Sequence, residues 1–239
     1  MHPSRCLVLP ALLALLLGCG SSSGELSLEV DGASMIAIDN SDGPISLVSL
    51  EGDEVHVRWT VHSDEGEEGP PDAEVVGSMQ GSTLRVEATT GGPETWVELT
   101  VEAPPELTFS LDSGAGDVVV DGMSAGGVIA TTTGNVSGAR LAGSLDVGAD
   151  EAEVVLQTVI GSEEGIVVEV GEGPVMLAVP ESTDALLSAS TAGGEVLIDG
   201  VPFTGTNSNG AAEGELGAGA TSLVTLTTGL GDIRIEASD

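Results

Sequence analysis

From residue 24 onward apolar and polar residues alternate with period two over most of the chain, and helical periodicity is scarce. The clearest run is 54–62, in which Val55, Val57, Trp59 and Val61 share one face and His56, Arg58, Thr60 and His62 the other. That is the pattern of a half-buried strand. Residues 83–88 and 96–102 repeat it, and 26–30, 35–39 and 45–50 are shorter candidates. Turn clusters separate them, among them Asp39-Asn40-Ser41-Asp42-Gly43 and Gly91-Gly92-Pro93. Residues 63–72 read as a charged loop.

After Pro104-Pro105 a step recurs: Gly, a polar residue or Pro, then a β-branched residue. Its copies are Gly116-Asp117-Val118, Gly134-Asn135-Val136, Gly173-Pro174-Val175, Gly194-Glu195-Val196 and Gly231-Asp232-Ile233, with Ala152-Glu153-Val154 as a degenerate one. The β-branched positions 118, 136, 154, 175, 196 and 233 lie 18, 18, 21, 21 and 37 residues apart, the last close to two periods. A second short apolar run precedes each copy: 107–111, 128–130, 145–147, 166–170, 186–189 and 223–226. A unit of strand, tight Gly turn, strand and looser turn cannot bury its own apolar side, whereas stacked neighbours can. The expectation is an all-β protein: antiparallel-type strands over 25–103, then a single-stack β-solenoid over 104–239 with coils of about 18–21 residues. An antiparallel sandwich also places short strands at regular spacing. Residues 201–220 interrupt the step and read as an irregular coil or loop.

The N-terminus changes the picture of where the chain resides. Arg5 precedes a run from Cys6 to Leu17 that is almost wholly apolar, the length of a signal-peptide core and too short to span a bilayer. It ends in Leu16-Leu17-Gly18-Cys19, which resembles the bacterial lipoprotein signal with its lipobox. The resemblance implies that residues 1–18 are a signal peptide and that Cys19 becomes the lipidated first residue. An ordinary secretory signal with a chance Cys is the plainer alternative. Residues 19–24 then form a flexible tether. Gly20 is not the Asp that retains lipoproteins at the inner membrane of enteric bacteria, which favours the outer membrane in a Gram-negative source. Cys6 leaves with the signal and Cys19 is modified, so no free thiol or disulfide is expected in the mature chain.

The segments Ile36-Ala37-Ile38-Asp39-Asn40-Ser41-Asp42-Gly43-Pro44-Ile45, Thr131-Thr132-Thr133-Gly134-Asn135-Val136 and Thr227-Thr228-Gly229-Leu230-Gly231-Asp232-Ile233 resemble the DUF4097 family of β-strand repeat proteins, described as adhesin candidates. The resemblance implies an architecture built on a recurring Thr-x-x-Gly-Asp-Ile step. It implies no catalytic residues.

Composition and charge narrow the function classes. The 239 residues hold 39 Asp and Glu against five Arg and no Lys, a formal charge of -34. Loss of Arg5 with the signal makes it -35 on 221 residues. Such a surface repels nucleic-acid phosphate and anionic lipid headgroups. An apolar content of 41% is too high for a disordered acidic chain. Aromatics make up only 2%, while Gly numbers 35.

Candidate chemistry is sparse. His56 and His62 lie about 20 Å apart on one strand face and cannot share an ion unless the strand bends. The clusters Asp64-Glu65-x-Glu67-Glu68 and Asp150-Glu151-x-Glu153 supply oxygen ligands without the ordered spacing of a calcium loop. Gly114-Ala115-Gly116-Asp117 is similar to a calcium-binding β-roll nonapeptide, but its register does not recur every nine residues. Arg140 is the lone base between Arg85 and Arg234, in a turn where a salt bridge or solvation accounts for it. Trp59 reads as core. Trp96 is out of phase with Val97, Leu99 and Val101 and reads as an exposed contact candidate. No Gly-x-Ser-x-Gly elbow followed by a helix is present. The expectation is therefore a noncatalytic, lipid-anchored envelope protein without cofactor or metal, adhesin-like at the cell surface. The alternative is a periplasmic protein-binding partner in an envelope-stress or signalling complex.

Overall fold

A computed structural model describes residues 23–63, 73–92, 94–218 and 221–238, and every regular element among them is a strand. The first are β1 (Ser23–Glu29), β2 (Met35–Asn40), β3 (Ile45–Ser49), β4 (Glu54–Ser63), β5 (Ala73–Gln80), β6 (Thr83–Thr90), β7 (Thr95–Ala103), β8 (Thr108–Ala115), β9 (Val118–Asp121), β10 (Gly127–Thr133) and β11 (Val136–Ala142). The remainder are β12 (Leu145–Glu151), β13 (Val154–Val159), β14 (Gly165–Glu172), β15 (Val175–Pro180), β16 (Ala185–Thr191), β17 (Val196–Asp199), β18 (Phe203–Ser208), β19 (Ala211–Leu216), β20 (Ser222–Leu230) and β21 (Ile233–Ser238).

They form two mixed sheets. Sheet 1 has ten strands in the order β1-β4-β7-β3-β9-β11-β13-β15-β21-β17, and sheet 2 has eleven in the order β18-β19-β16-β20-β14-β12-β10-β8-β2-β6-β5. Through the middle the neighbours are parallel. A strand of sheet 2, a Gly turn and the next strand of sheet 1 make one rung, and equivalent residues of successive rungs pair directly: Val118↔Val136, Val136↔Val154, Val154↔Val175. At the ends the pairing becomes antiparallel, with β1, β4 and β5 at one end and β19 and β18 at the other.

The rungs do not follow chain order throughout, which corrects the expected single stack. The last rung, β20/β21, lies between β14/β15 and β16/β17, so that Ile233 pairs with both Val175 and Val196. The spacing of 37 is thus an adjacency reached by a detour. Near the other end β2/β3 lies between β6/β7 and β8/β9. Strand pairing therefore runs unbroken across residues 103–104. Residues 201–220, expected as a loop, include the hairpin β18/β19, which turns at Asn209-Gly210 and adds onto β16. β5 was not visible in the alternation.

The core lies between the sheets and is built from columns of like residues. One column of sheet 2 reads Val86, Ile38, Leu111, Ile129, Val147, Val168, Leu226, Ala189. A facing column of sheet 1 reads Leu99, Ile45, Val118, Val136, Val154, Val175, Ile233, Val196. All of these are buried. Rungs spaced at about 4.8 Å leave room for aliphatic chains in register and little for rings, which accounts for the scarcity of aromatics. Phe109 is the exception, and its ring lies where a side chain at its paired neighbour Gly127 would project.

The recurring step has a hydrogen-bonding cause. Turn amides donate to the next rung: Gly116 N–H to Thr133 O at 2.9 Å, Val118 N–H to Asn135 O at 2.8 Å, Gly173 N–H to Leu230 O at 2.6 Å. The residue after the Gly also links rungs, since Asp117 accepts from Asn135 N–H at 2.8 Å and Asp232 from Glu195 N–H at 2.9 Å. Three residues before Gly43, Gly194 and Gly231, a side-chain hydroxyl or amide caps turn carbonyls, whereas Val170 holds that place before Gly173. Thr228 donates to Gly173 O at 2.8 Å, Thr191 to Gly231 O at 2.7 Å, and the Asn40 amide to Gly43 O at 2.9 Å. Thr228→Val removes one such donor at nearly unchanged volume and is expected to cost about 1–2 kcal/mol in urea unfolding. An unchanged midpoint would show that the hydroxyl is dispensable.

Candidate functional site

The residue with the clearest sequence signal, Cys19, lies outside the described residues, as does the acidic cluster at 64–68. What the structure does locate is the end of the stack from which Cys19 leads in. β1 starts at Ser23 and is the edge strand of sheet 1. Its Leu26 and Leu28 lie over Gly77 of β5, the edge strand of sheet 2 at the same end.

The outer face of sheet 1 at this end gathers the histidines, Arg58 and Trp96. His62 pairs directly opposite Trp96 across β4 and β7, and their rings stack with centroids 5.2 Å apart and planes 11° from parallel. His62 also contacts Glu98 at 3.1 Å, while His56 meets Ser27 at 2.9 Å. Arg58 reaches Glu102 at 2.6 Å. Trp96 is thus on the outer face as expected, half-buried against His62 instead of free. Trp59 faces the core and packs at its end, across Gly24. Alternation assigned both faces, but the His62–Trp96 contact needed the pairing register, which a separation of 34 residues hides.

Arg140 lies in β11 at a register shift between Gly138 and Leu141, with φ of 53°, and not in a plain turn. It grips Asp121 with two nitrogens, one at 2.8 Å. The Arg140 hydrogen bond holds the Asp121 carboxyl below its ordinary range, so this contribution to stability fades as pH falls through that lowered value. Arg85 lies 2.6 Å from Glu87 and 3.4 Å from Asp39, and Arg234 2.9 Å from Glu236. Each described Arg is therefore paired with acid on an outer face.

An open groove of about 660 Å³ crosses the outer face of sheet 2, floored by Ala130 and Gly148 and rimmed by Asp112, Asp150 and Glu169. Its lining contains no base, imidazole or thiol. Among the described residues no group of three or more His, Cys, Asp or Glu is placed to hold a metal ion. No helix among them is long and apolar enough to cross a membrane.

Beside the groove, Asp39 pairs across strands with Asp112 and Glu87. Partial burial, then Asp112, push its carboxyl above the ordinary range; Arg85 opposes this, and Glu87 adds to it. A raised value means that ionised Asp39 costs stability at neutral pH, a cost that is gone below its ordinary value of 3.8. Asp39→Asn is expected to stabilise at pH 7 by less than about 1 kcal/mol, because the side chain is half-exposed and screened. The gain should vanish near pH 3.5. A variant less stable at pH 7 would contradict this sign.

No protein-family model matches the chain, so the likeness to DUF4097 rests on its motifs. No curated protein matches it either. Among solved structures, a candidate cell-adhesion protein from Clostridium sporogenes ATCC 15579 superposes with a TM-score of 0.60 at 14% identity, over 90% of this chain and 99% of that one. A candidate adhesin from Bacteroides fragilis NCTC 9343 matches 89% of this chain and 96% of its own at 12% identity, with a TM-score of 0.32 that is too low to carry an argument. The first likeness establishes a shared all-β fold.

Proposed function

We propose that this chain is a noncatalytic, lipid-anchored module of the bacterial envelope, adhesin-like, with its stacked rungs serving as a β-solenoid spacer. The observation that carries this reading is the separation, at opposite ends of the stack, of the N-terminal edge strand β1 and the hairpin β18/β19. Cys19 precedes the edge strand β1 by only a few residues, and the hairpin β18/β19 closes the opposite end. In sheet 2, eleven strands at about 4.8 Å spacing put roughly 48 Å between β5, beside β1, and β18. A diacylglycerol on Cys19, with a further acyl chain, holds a protein stably at a membrane. The tip then stands clear of the lipid. The fold shared with the Clostridium sporogenes adhesion candidate supports the same reading.

Proteinase treatment of intact cells tests surface exposure, and Cys19→Ser tests the anchor. The expected result is loss of the wild-type protein on shaving and loss of membrane association in the variant. Protection until the outer layer is opened favours a periplasmic binding partner instead. A variant that stays membrane-bound removes the lipoprotein reading.

A further inference from the structure

The tip end of sheet 2 terminates in β18, which has no strand on its far side among the described residues. Its sequence is Phe203-Thr204-Gly205-Thr206-Asn207-Ser208, and residues 204–208 are all exposed. In a chain with 39 acids this edge carries no charge, whereas the other three edge strands include Glu25 and Glu29 in β1, Glu74 in β5 and Asp199 in β17. Charge, proline and bulges are the devices that keep strand edges from pairing, and β18 has none of them.

We propose that β18 is a homophilic docking edge, on which a second copy of this chain lays its own β18 antiparallel, tip to tip. The inference rests on the anchored-module reading and names its partner. Gly217 N–H donates to Pro202 O at 2.9 Å beyond the hairpin, and β18 pairs with β19 so that Thr204 faces Glu215 and Thr206 faces Glu213. Antiparallel ladders alternate, so Thr204, Thr206 and Ser208 turn their backbone groups toward β19. Phe203, Gly205 and Asn207 turn theirs outward. Centred on Gly205, a twofold copy matches these groups completely. Gly205 meets Gly205 of the second copy, Phe203 meets its Asn207, and each pair exchanges two N–H···O bonds. Thr204 then lies opposite Thr206 of the second copy. Asn207 is already tied to Val196 O at 3.2 Å through its side chain, which holds this end of the edge in place.

The geometry also fixes the setting. A twofold normal to sheet 2 makes the sheet continuous through both molecules and points the stacks in opposite directions. The two lipid anchors end up about 100 Å apart, on facing membranes. The charge distribution favours this contact over others, because two chains of -35 repel except where their surfaces are uncharged. Glu213 and Glu215 lie one strand back, so screening strengthens the contact.

The test is sedimentation velocity on the unlipidated mature chain bearing Cys19→Ser. The expected result is a reversible, elongated dimer that tightens about fivefold or more between 50 mM and 500 mM salt. Thr204→Glu with Thr206→Glu should weaken it at least about tenfold by facing like charges across the twofold. Thr204→Lys with Thr206→Glu places opposite charges across the same pair and should restore it. A chain that stays monomeric to about 1 mM at high salt overturns the proposal, as does a dimer indifferent to the paired glutamates or not rescued by the Lys–Glu combination. If shaving removes the protein from cells but no dimer forms, this inference falls and the surface reading stands. If the dimer forms while the protein is protected on cells, the surface reading falls and the edge pairing stands.

Discussion

Deleting residues 221–239 is expected to unfold β16 to β19 as well, and not merely to shorten the chain. In a stack laid down in chain order the last rung would be terminal, and its loss would cost only itself. Here β20 and β21 lie between β14/β15 and β16/β17 and pair with both. Val224, Leu226, Ile233 and Ile235 are all fully buried between those rungs. At about 1.5–3 kcal/mol for each buried aliphatic side chain, their loss removes upwards of about 6 kcal/mol. That is comparable to the whole stability of a typical domain, about 5–15 kcal/mol. Hydrogen exchange should show protection retained in β6 to β15, which keep a partner on at least one side, and lost over 185–216. Protection persisting in β16, β17 and β19 after the deletion would mean that they do not depend on the final rung.

The second large effect is expected at Gly134. Its φ of 120° is a conformation that side chains rarely adopt, and an added Cβ would collide with the carbonyl oxygen of Gly116 in the rung below. Backbone strain of roughly 1–3 kcal/mol, plus displacement of a hydrogen-bonded turn, puts Gly134→Ala at about 3–4 kcal/mol. Gly148 is the internal control. It lies on the outer face of β12 with nothing within 4 Å of an added Cβ. Gly148→Ala is expected to be neutral or to stabilise by up to about 1 kcal/mol. Equal midpoints for the two variants in urea unfolding would contradict the turn ladder as the source of the repeat.

Alternation assigns faces because the side-chain period of a strand is fixed at two, so Val55, Val57 and Val61 read as buried and Trp96 as outward. The Gly-x-β step marks the turns because they must pass close beneath one another. Rung order is hidden for the same reason that the repeat is visible. Val154, Val175, Val196 and Ile233 are equivalent aliphatic positions, and local sequence does not say whether Ile233 follows Val196 or inserts before it. β5 escaped because Gly77 and Ser78 break its alternation, and the inward space at Gly77 is filled by Leu26 and Leu28 from β1. The β18/β19 hairpin was legible in principle, since Asn-Gly between Thr-rich and alternating segments is a strong hairpin signal. As for the site, Cys19 stands out by motif, whereas the uncharged edge at β18 becomes meaningful only once topology places it at a tip.

In the proposed arrangement the chain stands on its lipid with β18/β19 farthest from the membrane. On the proposed processing, with Cys6 removed and Cys19 lipidated, the mature chain has no free thiol, so Asn209→Cys and Ser82→Cys each introduce a unique labelling position. Asn209 lies in the hairpin turn at the tip, and Ser82 in the turn between β5 and β6 at the anchored end. Fluorescence transfer from each label to an acceptor in the bilayer, with the lipidated protein on vesicles, measures the two heights directly. Asn209 is expected roughly 43 Å farther from the lipid than Ser82, nine strand spacings of about 4.8 Å. Equal heights, or Asn209 nearer the membrane, would contradict it.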